Sequence, residues 1–445
     1  MSITRSAIVI GGGIAGPVAA LALGQAGIEA TVYEAYDTTA DGVGGTLSIA
    51  PNGLDALAAV GLAGVVEELG SPITSMVMRN GKGRRLATLG SPAGLPAQRL
   101  LWRPDLYRAL RDATASRGVR VEYGRRLTAV DQDADGVTAV FADGTTARAD
   151  VLLGAVRLRS PGRCKLDPAA PAPPPPPPPP PARGGGDGIR SRVRSLLDPA
   201  APAPRYVGLL GFGARLGPGP VDASRIGTTG SEMHFVFGRR AFFGYVLDED
   251  GSGGWFANLP RAASTTAAET RATDPAGWLK LLRETFAGDG LRMDDLIART
   301  DPADLISVGG MEDLPTVPVW HRGRAVLIGD AAHATSPSSG QGASLALESA
   351  VELARCLRDL PHQEAFAGYE SLRRARVEKI IKMGERTNSD KAAGPVARVL
   401  RDLMMPVAMR LMNPESFSWP MRHHIDWDAP VAGAAVSVQA PARAG

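Results

Sequence analysis

The sequence is short of cysteine and has almost no excess charge, and each shortage excludes a class of protein. Its 445 residues include two cysteines, Cys164 and Cys356, which form neither a disulfide framework nor a metal-site spacing. The formal net charge is +3 on 49 basic and 46 acidic residues, which does not argue for a nucleic-acid partner. The apolar N-terminal stretch lacks a basic region beyond Arg5 and carries patterned glycines, unlike a secretion signal. We therefore expect a cytoplasmic protein of two or three domains without a membrane span.

The N-terminal thirty residues place glycines between a strand and a helix. The segment SAIVIGGGIAGPVAALALGQAGIEATVYEA predicts a strand, a turn, a helix and a second strand that ends at Glu34. Gly11 permits the tight turn, Gly13 lets a pyrophosphate approach the backbone, and Gly16 lets the helix pack on the strand. The helix N-terminus offers N–H groups to the phosphates, and Glu34 can accept both ribose hydroxyls. The pattern predicts a dinucleotide site but does not separate NAD from FAD.

A second motif lies near the far end of the chain, in RGRAVLIGDAAHATSPSSGQGASLALESAVELARCL. It predicts a strand at 325–328, a turn at Gly329 and Asp330, a Pro/Ser/Gly loop and a long helix from about Gly342. Asp330 can hydrogen-bond a sugar-like hydroxyl, and the amides of SSGQG point toward whatever lies above the helix. Such amides would stabilise the negative charge of a reduced flavin.

Together with a central D-G-x-x-S-x-x-R motif, supplied by Asp187, Gly188, Ser191 and Arg194, these features resemble a known family. The chain is similar to the single-component FAD-dependent aromatic hydroxylases, the p-hydroxybenzoate hydroxylase-like monooxygenases. The resemblance implies an α/β fold: a Rossmann-like, GR2-type FAD-binding domain with an interleaved β-rich substrate domain and C-terminal helices. It also implies tight, non-covalent FAD, with NAD(P)H as a transient co-substrate and O2 as the oxidant.

The resemblance also assigns cofactor contacts residue by residue. The ADP half of FAD would lie against the N-terminal turn, the ribityl chain against Asp330, and the isoalloxazine against Pro337 and Gly340. The family's acid–Asp pair in the last helix reads Glu348-Ser349 here, a mild departure. The expected cofactor set is Gly11, Gly13, Ile14, Ala15, Gly16, Glu34, Arg103, Asp187, Gly329, Asp330, Pro337, Gly340, Gln341, Gly342 and Ala343.

No side chain is assigned a catalytic role, because the chemistry belongs to the flavin. His333 is expected to serve the hydrogen bonding of its own loop, and His423 and His424 have no spaced partner ligands for a metal. The strand-like runs in EMHFVFGRRAFFGYVL would lie over the flavin in this family. The substrate-pocket candidates are His234, Phe235, Phe237, Phe243 and Tyr245.

The chain is predicted to form two interleaved domains and a C-terminal extension. The FAD-binding domain takes residues 1–70, 98–205 and 320–360, and the substrate domain takes residues 71–97 and 206–319. Residues 361–445 form a helical segment and a tail.

Nine consecutive prolines, residues 173–181, interrupt the FAD-binding segment. They separate GAVRLRSPGRCKLDPAAPAP, at 154–173, from GGDGIRSRVRSLLDPAAPAP, at 185–204, and the last eight letters of the two are identical. We interpret residues 156–186 as a tandem duplication with a polyproline filler, expected to loop out as a disordered excursion. Without it, strand 151–154 would run directly into Asp187.

The sequence thus predicts an FAD-dependent monooxygenase that uses NAD(P)H and O2 to hydroxylate or epoxidise an aromatic or polycyclic small molecule. The resemblance implies oxygen transfer through a flavin C4a-hydroperoxide, with natural-product or antibiotic metabolism as one setting. The partner is a small molecule, and the chain is expected to be a monomer or a homodimer. Two alternatives stay open: an FAD-dependent reductase or dehydrogenase of an isoprenoid-like substrate, and a weakened flavoprotein impaired by the insertion.

Overall fold

The structure is a computed structural model that describes residues 4–37, 45–155, 188–221, 226–263, 265, 272–391, 394–411 and 418–431. The predicted insertion at 156–186 and the motif residue Asp187 lie outside these ranges. None of the helices within the described ranges combines the length and the apolar character needed to cross a membrane.

A six-stranded sheet assembled from distant parts of the chain carries the N-terminal glycine turn. All neighbouring strands are parallel except the antiparallel pair at one edge, which joins His321–Arg322 to Ala325–Leu327. The central strands are apolar and buried on both faces, as expected where helices cover both sides of a parallel sheet. In sheet order the strands are β18 (His321–Arg322), β19 (Ala325–Leu327), β12 (Val151–Gly154), β1 (Ser6–Ile10), β2 (Glu29–Tyr33) and β8 (Arg120–Glu122).

Helices pack around this sheet and enclose the larger hydrophobic core. The first helix packs against the long helix that follows the second motif. Gly16 makes the close approach of the first helix possible, since an added Cβ would lie 1.7 Å from the Gly11 carbonyl oxygen. The helices are α1 (Ala15–Gln25), α2 (Pro51–Ala59), α3 (Ala63–Leu69), α4 (Arg103–Ser116), α5 (Arg192–Leu197), α8 (Asp330–His333) and α9 (Gly342–Asp359).

A seven-stranded mixed sheet forms the second body of the fold. Helices α6 (Pro275–Phe286) and α7 (Met293–Ala298) supply residues to the hydrophobic cluster on one of its faces. In sheet order the strands are β17 (Ile306–Asp313), β13 (Arg205–Leu216), β16 (Gly253–Pro260), β15 (Phe242–Leu247), β14 (Glu232–Phe237), β5 (Ser75–Asn80) and β6 (Arg85–Gly90).

Two three-stranded sheets complete the strands of the described ranges. One contains the strand Ser71–Ile73, which begins immediately after the predicted boundary at residue 70 and pairs with the strand Gln98–Trp102. The two sheets, in order, are β11 (Thr146–Ala149), β10 (Val137–Phe141) and β9 (Leu127–Gln132), and β3 (Thr46–Ile49), β7 (Gln98–Trp102) and β4 (Ser71–Ile73).

Two C-terminal helices connect the two bodies. Helix α10 (His362–Lys391) packs against α9 at the parallel sheet, and also contacts the 3-10 turn at 337–339 and strand β13. Helix α11 (Pro395–Leu411) then packs on β6 at the edge of the seven-stranded sheet. The end of α10 therefore lies where the predicted flavin loop meets the substrate sheet.

Candidate cofactor and substrate site

The N-terminal turn, the second motif and one face of the seven-stranded sheet line one cavity of about 2240 Å³. Ligand pockets for drug-sized molecules usually measure roughly 300–1,000 Å³, so this cavity has room for a dinucleotide and a second small molecule. The predicted cofactor residues that line it are Gly13, Ile14, Ala15, Glu34, Arg103, Asp330, Pro337, Gly340, Gln341, Gly342 and Ala343.

Three predicted glycines shape the site from behind the cavity wall. Gly11 has φ +116°, which favours glycine, and Gly16 packs against its carbonyl oxygen. Gly329 has φ +56°, and an added Cβ would lie 3.2 Å from the Cβ atoms of Ala15 and Ala346. These glycines set the turns, whereas the backbone of Gly13 faces the cavity.

Glu34 is held at the cavity by two backbone amides, one from the glycine turn after β1 and one from its own segment after β2. Its Oε2 accepts a hydrogen bond from the Gly12 amide at 2.7 Å, and its Oε1 accepts one from the Tyr36 amide at 3.1 Å. Gly12 and Tyr36 line the cavity as well, although the sequence pattern did not single them out. A carboxylate fixed in this way at the end of β2 is placed to accept hydroxyl donors.

Ser191 and Arg194 of the central motif form hydrogen bonds, and those of Arg194 connect the 188–190 turn to α8. Ser191 Oγ caps α5 by accepting from the Arg194 amide at 3.2 Å. The buried Arg194 guanidinium donates to the carbonyl oxygens of Ala331 at 2.9 Å and Ile189 at 2.5 Å. Burial lowers the pKa of Arg194 to about 10, so it stays protonated at neutral pH. Arg194 therefore holds the 188–190 turn against α8, the helix that begins with Asp330.

The second motif forms a loop that presents backbone donors at the start of α9. Ser336 Oγ accepts from the Ser338 amide at 3.3 Å, and Ser339 Oγ accepts from the Gln341 amide at 3.1 Å. Gly340 turns the chain with φ +63°. The first N–H groups of a helix have no partner within the helix, so the first turn of α9 can receive an anion at the cavity. The sequence predicted a simple turn at Asp330, where the structure has the short helix α8.

The pocket candidates of β14 and β15 divide between the two faces of the sheet. Phe235 and Phe237 line the cavity, together with Phe242 and Phe256. Phe243 and Tyr245 lie in the hydrophobic core on the opposite face, and His234 shares that face through the His234–Tyr245 register pair. These last three candidates therefore do not line the cavity, because successive strand residues point to opposite faces.

His234 is fully engaged within this opposite face. Its Nδ1 lies 2.9 Å from the Tyr245 hydroxyl, and its Nε2 lies 3.1 Å from Glu232 Oε2. Burial lowers the pKa of His234 despite the neighbouring Glu232. The side chain therefore stabilises the sheet and has no contact with the cavity.

His333 and Glu348-Ser349 belong to the packing between helices. His333 Nε2 lies 2.8 Å from Ser349 Oγ, and burial, with Arg373 nearby, lowers the pKa of His333 to about 3. Glu348 forms ion pairs with Arg373 and with Arg376, the latter at 2.8 Å. Within the described ranges, no group of three or more His, Cys, Asp or Glu side chains could hold a metal ion.

The end of α10 supplies wall residues that the sequence analysis missed. Met383, Thr387 and Lys391 line the cavity, and Asn258 of β16 lies beside them. No local motif marks these positions, since their place in the site depends on how a 30-residue helix crosses the molecule.

Comparisons with known proteins agree with this geometry. A family model described as an FAD binding domain matches residues 4–168 and 312–383. The FAD-dependent urate hydroxylase of Klebsiella pneumoniae is 30% identical over 384 residues, 84% of this chain and 87% of the relative. A 3-amino-4-hydroxybenzoate 2-monooxygenase of Streptomyces platensis is 31% identical over 441 residues, 92% and 94% of the two chains. The crystal structure of Klebsiella pneumoniae HpxO with FAD and uric acid has a TM-score of 0.76 at 25% identity, covering 94% of this chain and 96% of that one.

Proposed function

The chain belongs to the family of FAD-dependent aromatic hydroxylases, and we propose that it uses NAD(P)H and O2 to hydroxylate or epoxidise an aromatic or polycyclic small molecule. As a member of this family it is an FAD-dependent monooxygenase. The relatives are named for urate, 3-amino-4-hydroxybenzoate and 6-hydroxynicotinate, all small rings. The observation that carries the proposal is the shared cavity, in which the dinucleotide turn and the second motif face a wall of phenylalanines.

The residues at the cavity fit FAD. A Cβ added at Gly13 would meet nothing within 4 Å, so the backbone there is open to a close ligand. We assign the pyrophosphate to the amides of residues 13–15 and the adenosine ribose to Glu34. Asp330 would hold the ribityl chain, and the loop at 337–343 would lie against the isoalloxazine. Arg103, at the first position of α4, lines the same cavity and would contact the cofactor there.

When bound, FAD supplies the reduction of O2 and the transfer of one oxygen atom to the substrate. The chain's own part is to orient the two molecules and to exclude water. Phe235, Phe237, Phe242 and Phe256 form an apolar wall against which an aromatic ring can pack. The amides at the start of α9 would stabilise negative charge that develops on the cofactor side. NAD(P)H is expected to dock only transiently.

The proposal is tested with the purified protein titrated with NADPH, and separately with NADH, under air. The panel consists of phenols and polyketide-like aromatics together with urate and 3-amino-4-hydroxybenzoate. We expect bound flavin in the purified protein and oxygen-dependent NAD(P)H consumption that at least one panel member stimulates. Absence of bound flavin, or turnover that proceeds equally under nitrogen, would contradict it. The second result would favour a reductase or dehydrogenase.

A further inference from the structure

Lys391, the last residue of α10, brings an ammonium group to the point where the two walls of the cavity meet. Its Nζ donates to Asn258 Oδ1 at 2.8 Å and to Ser338 Oγ at 3.0 Å. The same Nζ lies 4.1 Å from the centroid of the Phe242 ring. Asn258 and Phe242 belong to the substrate sheet, whereas Ser338 follows Pro337 in the loop assigned to the isoalloxazine. Lys391 therefore touches both sides of the proposed reaction space.

The groups around Lys391 orient its ammonium without neutralising it. Asn258 Nδ2 donates to the Ala257 carbonyl at 3.1 Å and to Met311 Sδ at 3.3 Å, which leaves Oδ1 facing the ammonium. A lysine ammonium has three N–H donors, and two of them go to the neutral oxygens of Asn258 and Ser338. One N–H is left for a group inside the cavity.

Lys391 differs from two other cationic side chains of this region in that it has no carboxylate partner among the side chains that the structure describes. Arg190 pairs with Glu312, and Arg205 pairs with Asp313 at 3.0 Å. No carboxylate whose side chain the structure describes forms a salt bridge with Lys391. Burial lowers the pKa of Lys391 from 10.5 to about 7, since a buried charge without a counter-ion is costly. An anion in the cavity would supply the missing counter-ion.

We propose that Lys391 holds an ionised ring oxygen of the substrate, of the phenolate type, and thereby makes the site selective for acidic aromatic rings. This inference rests on the proposed function, because it takes the phenylalanine wall as the place of the substrate ring. A phenolate binds to the ammonium form directly. A neutral phenol that meets the neutral amine gives the same ion pair by transferring its O–H proton to Nζ only if the phenol is acidic enough to protonate an amine whose pKa is lowered. The ionised oxygen makes the ring more electron-rich, as attack by an electrophilic oxygen requires.

The test titrates the oxidised holoenzyme with 4-nitrophenol and with its methyl ether, 4-nitroanisole, and follows the difference spectrum. We expect 4-nitrophenol to bind with the absorbance of its phenolate and more tightly than the ether. In Lys391→Met, the affinity for 4-nitrophenol should fall by about 10- to 100-fold, as for a lost hydrogen bond to a charged group. The affinity for 4-nitroanisole should stay within about twofold of the wild-type value, because the ether cannot ionise and forms no ion pair with Lys391.

Two further variants separate selectivity from simple structural support. Lys379→Met removes an exposed lysine of the same helix, whose Nζ also lies 4.1 Å from an aromatic ring, that of Trp419. It should leave both affinities unchanged. Lys391→Arg should restore part of the preference for 4-nitrophenol. FAD content and melting temperature are measured for every variant.

Several outcomes would overturn the inference. One is that the wild type binds 4-nitrophenol as the neutral phenol, or no more tightly than 4-nitroanisole. Another is that the Lys391→Met variant keeps the preference for 4-nitrophenol over 4-nitroanisole. An equal loss of both affinities with a lower melting temperature would mean that Lys391 only supports the loop. The titration needs neither NADPH nor O2, so a failure of the proposed oxygenation would not be mistaken for a failure of this inference.

Discussion

At the scale of single residues, substitutions at three glycines of the N-terminal βα unit distinguish effects on folding from effects on cofactor binding. A Cβ on Gly16 would lie 1.7 Å from a backbone oxygen, whereas a Cβ on Gly13 or on Gly24 would meet nothing within 4 Å. Gly13 lines the cavity and Gly24 lies in α1 away from it. The same substitution at the three positions therefore tests three different roles.

We predict that Gly16→Ala disrupts the turn and lowers both the melting temperature and the FAD content. Gly13→Ala should fold normally but bind FAD about tenfold or more weakly, because its methyl group occupies the approach of the pyrophosphate. Gly24→Ala should keep FAD and gain about 0.5–1 kcal/mol of stability, as an alanine in a helix does. Thermal unfolding and flavin absorbance of the purified variants measure these effects. A Gly13→Ala variant with unchanged FAD affinity would remove the phosphate assignment.

The same scale shows which site residues could be predicted from sequence. Asp330 and Pro337, which line the cavity, could be singled out because their motif requires particular turns, and such a local requirement is visible in the local sequence. All six residues of the run FFGYVL, which forms β15, are buried. The run therefore lacks the alternation of polar and apolar residues that would have shown that Phe243 lies in the core. Lys391 gave no signal either, because its partners Asn258 and Ser338 are distant in the sequence.

At the scale of elements, strand β12 and helix α5 flank the predicted insertion and are packed together. β12 pairs with β1 and with β19 at the centre of the parallel sheet. A Cβ added at Gly154 would lie 2.6 Å from the Cβ of Val193, which shows how closely α5 approaches the strand. The described chain thus brings both flanks of residues 156–186 to one place.

We predict that deletion of residues 156–186, which joins Ala155 to Asp187, leaves the fold intact and improves the cofactor site. FAD occupancy should rise and uncoupled peroxide production should fall, because strand β12 would then lead directly into the 188–190 turn. A shorter deletion of residues 171–181, which keeps the junction interrupted, is the matched control and should behave as the full chain. Equal FAD occupancy and peroxide yield in all three proteins would show that the insertion does not affect activity.

At the scale of the whole molecule, the predicted Rossmann-like fold and FAD cofactor are confirmed. The sequence carries a local signal for this part of the molecule but not for the rest of the fold. The nucleotide-binding part could be predicted because phosphate binding constrains glycines over a short stretch. The order of the seven-stranded sheet could not, since it joins β5 to β14 across about 150 residues without a local rule. The crossing of α10 between the two bodies is likewise set by tertiary packing.

One buried ionic cluster connects the helices of the FAD-binding body. Glu348 of α9 accepts from Arg376 of α10 at 2.8 Å, pairs with the fully buried Arg373, and accepts from Asn52 of α2 at 2.5 Å. Burial alone would raise the pKa of Glu348, but Arg373 and Arg376 outweigh it and lower the pKa to about 2. The carboxylate is therefore ionised and fixes the position of α10.

We predict that Glu348→Gln lowers the free energy of unfolding by about 3–5 kcal/mol at pH 7, because it leaves Arg373 buried without its counter-ion. The control is Glu378→Gln on α10, whose partner Arg374 lies 3.3 Å away in a partly exposed pair, and it should cost about 1 kcal/mol or less. Urea unfolding of both variants measures the difference. A Glu348→Gln protein as stable as the control would mean that the cluster does not hold the helices.

The acid dependence of the same cluster follows from the direction of the pKa shift. Because the folded pKa of Glu348 lies below the ordinary 4.5, the unfolded chain binds more protons between pH 4.5 and pH 2. The stability that Glu348 contributes is therefore complete above pH 4.5 and is lost as the pH falls toward 2. His333, whose folded pKa of about 3 lies below its ordinary 6.5, adds a loss in the same direction from pH 6.5 downward. Melting temperatures between pH 7 and pH 3 should consequently fall more steeply for the wild type than for Glu348→Gln, and parallel curves would contradict the assignment of this acid sensitivity to Glu348.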